Sequence, residues 1–235
     1  MIIFQRVTDE PKIAGRERLL AADVDMDIPP GRYALLTDNI LIKKPAVDLI
    51  AGLRPPHIGR IDFGGLTSWP IGRPAFLRGK VTGRHVVMLL SGLYGLDVRL
   101  ANAILENTLT EPGNLDEVVE YWSVEFRHEF GFAVALLPSF DVYIVEGVFP
   151  YLKDRFTYLW RSLFDEKSAY KTLVSASSRV ADLTEYCEKA IIFSKGRLEI
   201  TDDLKAAIDE FPPRPPAPDP QKGFERTDEP ADDIL

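Results

Sequence analysis

Residues 31–52 read GRYALLTDNILIKKPAVDLIAG. Residues 33–36 form a short apolar run suited to a buried strand, and 46–51 carry helical spacing that Gly52 is suited to end. The stretch therefore reads as strand, loop and helix, with Lys43 and Lys44 near the helix start. Outward from it, residues 2–7 and 23–28 read as strands. The second alternates Asp-Val-Asp-Met-Asp-Ile, the pattern of a half-buried antiparallel strand. Further strands are expected at 60–63, 141–145, 172–174, 190–193 and 197–200, the last two joined through Lys195-Gly196. Helices are expected at 151–164, 181–189 and 202–208, and the middle of the chain, about 83–135, reads as mostly helical. Strands alternating with helices at both ends imply an α/β core with a parallel sheet.

The bulk composition narrows the class. With 28 basic and 36 acidic residues the net charge is −8, which argues against a dedicated nucleic-acid binder. The single cysteine, Cys187, excludes a disulfide within the chain and suits a reducing compartment. No stretch reaches the roughly 18 apolar residues of a membrane span, and the first residues read as a strand rather than a signal peptide. The chain is expected in the cytoplasm, reaching the inner face of a membrane only through a partner. Residues 211–235 hold seven prolines, six acidic and three basic residues, and are expected to form a disordered tail.

The loop of the opening stretch has the frame of a phosphate-binding loop, G-x-x-x-x-G-K-[ST], whose glycines let backbone N–H groups close around phosphate. Lys43 stands at the motif's lysine position. Ser68-Trp69-Pro70-Ile71-Gly72, followed ten residues later by Thr82-Gly83-Arg84, narrows the comparison. Residues 140–147, FDVYIVEG, and 172–177, TLVSAS, complete it. Over roughly residues 1–210 the chain resembles ABC-transporter ATPase domains of the capsular and O-antigen polysaccharide-export branch. The resemblance implies an α/β, P-loop-NTPase-like (RecA-like) core with an N-terminal antiparallel β element and an inserted α-helical subdomain over about 83–135. It also implies that the 68–72 and 82–84 segments lie near the loop that touches the membrane subunit. His85 stands where that branch has Glu.

The chemical positions of that pattern are replaced. The two motif glycines fall on Thr37 and Ile42, and the Mg²⁺-holding hydroxyl falls on Lys44, with Pro45 next. Branched side chains resist the positive-φ backbone that glycine permits. The strand that ends in Asp-Glu in that branch ends here in Glu146-Gly147, and the switch histidine position holds Ala176. The signature serine-glycine motif would fall near Ser123-Val124-Glu125. Two counts support this: the only glutamines are Gln5 and Gln221, and no histidine lies beyond His128.

The expected function is thus a non-catalytic or strongly impaired ATPase-like subunit that acts through protein contacts in polysaccharide export. No cofactor is expected, with Mg-ATP held weakly at most. Expected partners are the membrane subunit of an exporter, an intact ATPase subunit, or both, in a dimer, and no nucleic acid. A divergent ATP-binding subunit that uses Lys43 and Glu146, and a module sensing an anion or nucleotide at Lys43-Lys44, are the alternatives.

Overall fold

The computed structural model describes residues 1–73 and 79–214. From residue 215 onward the expected tail lies outside the described residues. In chain order the elements are β1 (Ile2–Asp9), β2 (Lys12–Ile13), β3 (Arg16–Glu17), β4 (Ala21–Ile28), β5 (Gly31–Thr37), α1 (Ile40–Ile50), β6 (Ile58–Asp62) and β7 (Thr67–Ile71). Three helices follow, α2 (Gly83–Tyr94), α3 (Val98–Thr108) and α4 (Val124–Val134), with two short 3₁₀ turns between the last two. The remainder is β8 (Val142–Val145), α5 (Arg155–Ser168), β9 (Thr172–Ser175), α6 (Val180–Tyr186), β10 (Lys189–Ser194), β11 (Arg197–Thr201) and α7 (Leu204–Glu210).

The main sheet has the order β11-β10-β5-β9-β8-β7, parallel except for β11. Its inner strands are buried on both faces, which is why Tyr33–Leu36, Val142–Val145 and Ala190–Phe193 read as unbroken apolar runs. Along β5, Ala34 and Leu36 point into a core shared with the helices α2 to α6. Tyr33 and Leu35 point into a second core formed with α1 and the small antiparallel sheet β4-β1-β6. The helices α2 to α4 are inserted between the neighbouring parallel strands β7 and β8.

Four local expectations change. First, α1 starts at Ile40, not at residue 46. Asn39 caps it, its Oδ1 accepting the Leu41 N–H at 2.9 Å. Burial of Ile42 together with Ala46, Val47, Leu49 and Ile50 holds the helix together through Pro45. Second, residues 67–71, for which the sequence predicts no regular element, form β7. It is an edge strand, where a proline is tolerated. Third, α5 begins after Asp154, whose side chain caps it by accepting the Thr157 N–H at 2.7 Å, so 151–154 is loop. Fourth, residues 211–214 run on from α7 as irregular chain.

At the start of α2, Thr82 and His85 form a reciprocal capping box. The Thr82 N–H donates to His85 Nδ1 at 3.3 Å, and the His85 N–H donates to Thr82 Oγ1 at 3.4 Å. His85 thus does the capping work that a glutamate does in this motif.

Candidate functional site: the carboxyl ends of the central strands

Open parallel sheets bind ligands outside the carboxyl ends of their strands, where successive connections diverge. Here β5 lies between β9 and β10, and the loops leaving β5, β8 and β9 meet at that edge. They carry Thr37, Lys43, Glu146, Gly147, Ala176 and Ser177.

The segment after β5 is a helix start rather than an open phosphate cradle. The Leu41 N–H is taken by the Asn39 side chain, and the Ile42 N–H donates to the Asn39 carbonyl at 3.0 Å. Thr37 Oγ1 donates to that same carbonyl at 3.1 Å. Asp38 is held by β10, its carboxylate accepting from Ser194 Oγ at 2.9 Å and from the Lys195 N–H at 3.0 Å. Ile42, at a motif-glycine position, is 5% exposed and packs into the core below. Lys44 is exposed. Lys43 is half-buried. Burial pulls its ammonium below the usual lysine range, and the Glu146 carboxylate opposes that shift.

An arginine stands between the two acidic residues of the site. Arg73, just after β7, donates through Nη1 to Asp48 Oδ1 of α1 at 2.6 Å and is ion-paired to Glu146 at the end of β8. The backbone positions this group closely. The Glu146 N–H donates to the Ile71 carbonyl at 2.7 Å, and Gly72 follows with φ of 90°. A Cβ on Gly72 would lie 2.5 Å from the Glu146 carbonyl oxygen, so only glycine allows this approach. Gly147 has φ of 116°. Ala176 is buried, its N–H donating to the Val145 carbonyl at 2.8 Å. Ser177 Oγ donates to the buried carboxylate of Asp182 at 2.6 Å. That carboxylate also accepts the Phe149 N–H at 3.1 Å, which ties the loop after β9 to the loop after β8, and pairs with Arg179 at 3.5 Å.

Thr37, Lys43 and Ser177 line one small cavity, the two hydroxyls already donating within the chain. Beside that cavity Lys44 follows Lys43 in the chain, and Arg73 engages the Glu146 carboxylate.

Of the residues expected at a partner surface, Ser68, Pro70, Ile71 and Gly83 are buried. Ser68 Oγ accepts the Ile144 N–H at 2.8 Å, and a Cβ on Gly83 would lie 2.9 Å from the Trp122 ring. Thr82 is spent on capping. Arg84 pairs with Glu106 at 2.9 Å and Asp116 at 2.7 Å, which hold its guanidinium above the usual range and the Asp116 carboxyl below its own. What the segment presents outward is the half-buried Trp69 on one wall of an apolar groove of about 420 Å³, with Val81, His85, Leu89, Leu93 and Tyr94. Sequence reasoning missed Arg73 and Asp48, and only the fold brings them to Glu146. It also missed His128 of α4. That ring is half-buried, contacts the Val148 carbonyl at 3.0 Å and is held below the usual histidine range by burial.

No family model matches the chain. The chain is similar to the polysialic acid transport ATP-binding protein KpsT of Escherichia coli, 26% identical over 215 residues, which covers 90% of this chain and 96% of that protein. It is also similar to the capsule polysaccharide export ATP-binding protein CtrD of Neisseria meningitidis, 24% identical, with 83% and 90% covered. Among solved structures, the ATP-binding subunit of an ABC transporter matches with a TM-score of 0.61 at 19% identity, covering 86% of this chain and 90% of that one. A dimeric ATP-binding cassette in a post-hydrolysis state, bound to ADP and Pi, matches with a TM-score of 0.63 at 15% identity, with 85% and 97% covered. The expectation of no cofactor is corrected by these relatives: they are ATP-binding proteins, and the last cassette holds ADP and Pi. Among the described residues no helix is long and apolar enough to cross a membrane. This chain is a homologue of the ATP-binding proteins of capsule polysaccharide export, built on the fold of ABC-transporter ATPase domains.

Proposed function

We propose that this chain is the ATP-binding-cassette subunit of a polysaccharide exporter that takes up nucleotide and does not hydrolyse it at a useful rate. The observation that carries this reading is the end of β8, where Glu146 is ion-paired to Arg73 and the next residue is Gly147. Phosphoryl transfer depends on positioned charge and an oriented nucleophile. Gly147 has no side chain to orient water, and Ala176 has none to reach a phosphate oxygen. Loss of a single stabilising group typically costs about 10²–10³ in rate, and here several are replaced. Lys43, Thr37 and Ser177 remain on one wall to meet a polyphosphate, which supports uptake of the relatives' ligand.

The subunit then acts by contact. Residues 1–210 form the working unit, placed at the cytoplasmic face of the membrane by its partners. The groove beside Trp69 receives an apolar segment of the membrane subunit, with Leu89 and Leu93, 62% and 68% exposed, as its anchors. An intact ATPase subunit serves as the dimer partner and supplies the hydrolysis.

Phosphate release from Mg-ATP by the purified chain is expected at background, neither lowered by Lys43→Ala nor raised by Gly147→Glu. Release that Lys43→Ala abolishes would overturn the reading and make the chain a divergent ATPase. For docking, Leu89→Glu with Leu93→Glu should abolish association with the co-expressed membrane subunit. Undiminished association would remove the groove from the interface.

A further inference from the structure

We infer that Phe211–Arg214 is a strap closed over the phosphate end of the fold, so that nucleotide enters only when the strap lifts. The inference rests on the reading above that nucleotide is this site's ligand. The strap follows α7, which packs on β10 and β5, the strand that leads into the altered loop. Phe211 anchors it. Its N–H donates to the Ala207 carbonyl at 2.9 Å, and its half-buried ring packs against the helical-side core next to α7. Pro212 and Pro213 then hold the chain stiff, and neither has an N–H to offer a phosphate.

The strap shares a single cavity with Thr37, Ile40, Lys43 and Ser177, the positions at which a polyphosphate would meet this fold. The free space left there is about 20 Å³. A water needs about 10–15 Å³ by that measure, so the space beside the strap is of the size of a water. Lys43 lines the same cavity, and burial pulls its ammonium below the usual lysine range. Among the described residues, the strap's backbone is tied to the fold by the Phe211 hydrogen bond, while the strands beside it belong to continuous ladders. Segments held this lightly open well below the cost of global unfolding. Apparent affinity scales with the fraction of open molecules, so a strap closed nine-tenths of the time weakens nucleotide binding about tenfold.

The test is calorimetric titration of the full-length chain with Mg-ATP. It compares the parent with Phe211→Ser, which removes the anchor, and with Pro212→Gly/Pro213→Gly, which keeps the anchor and loosens the strap. Thermal unfolding of each variant checks that the fold persists. The expected result is binding at least about tenfold tighter in both variants, with the gain removed by Lys43→Ala. Equal affinity in the parent and the folded variants overturns the strap and leaves nucleotide uptake standing. Absence of heat in all three overturns nucleotide uptake and the strap with it.

Discussion

Replacing Arg73 by Met removes the cation that joins Asp48 to Glu146 while keeping the length and packing of the side chain. The arginine is 18% exposed and each carboxylate 21%, so most of this group is out of water. Breaking a fully buried pair costs about 3–5 kcal/mol, because the surviving charge is left uncompensated. Two features lower that figure here. About a fifth of each partner stays hydrated, and the Lys43 ammonium remains near Glu146. A loss of about 2 kcal/mol is expected, which for a domain of this size moves the thermal midpoint down by about 4–8 °C. Thermal unfolding followed by circular dichroism reads this directly. A double-mutant cycle sharpens it: Glu146→Gln alone should also destabilise, and combining it with Arg73→Met should cost less than the two singles added, by about 1 kcal/mol. A midpoint shift under about 1 °C, or strict additivity in the cycle, would refute the claim that Arg73 is the counterion of this site.

Two further outcomes follow from local geometry. Gly72→Ala places a Cβ 2.5 Å from the Glu146 carbonyl oxygen at φ of 90°, and should lower stability in urea unfolding by about 2–3 kcal/mol. A cost below about 0.5 kcal/mol would show that the β7–β8 junction yields easily. His128 binds its proton less readily in the fold than in the unfolded chain, because burial depresses it. As pH falls below the unfolded value of about 6.5, the unfolded state gains the proton first, so stability present above that pH is lost on the way down to the folded value. The thermal midpoint should therefore drop between pH 7.5 and 5.5, and His128→Gln should flatten that dependence. An unchanged slope would assign it to other groups.

The framework was legible because it rests on short-range patterns. Buried parallel strands read as apolar runs at 33–36, 142–145 and 190–193, and Gly52 marked the end of α1 with a positive φ. The errors sit where two local signals compete. Asn39 was a usable N-cap, but Ile40 and Ile42 read as loop residues because the phosphate-loop frame suggested one. Burial of Ile42 against the second core decided for helix. Ser68-Trp69-Pro70 has no strand alternation to read, with Pro70 within it, and pairing with β8 makes it a strand. Arg73, Asp48 and Glu146 are separated by 25 and 73 residues, so no periodicity could have joined them. The strap was hidden for a different reason: Pro212-Pro213 signals an end of regular structure and says nothing about where the extended chain then lies.

The polar groups at this edge of the sheet satisfy one another, which bears on how the frame holds together. A cradle of glycine N–H groups is satisfied by phosphate. Here Asn39 takes the Leu41 N–H, and the Asn39 carbonyl takes the Ile42 N–H. A carboxylate that would face a metal must find another cation, and Arg73 supplies it to Glu146. The cavity beside Lys43 is about 20 Å³ and is lined in part by Phe211–Arg214. Partners inside the chain matter here because buried polar groups without them cost about 1–3 kcal/mol each. Restoring one residue, such as Gly147→Glu, therefore restores no site. The new carboxylate would begin from a φ of 116°, beside a Glu146 already held by Arg73.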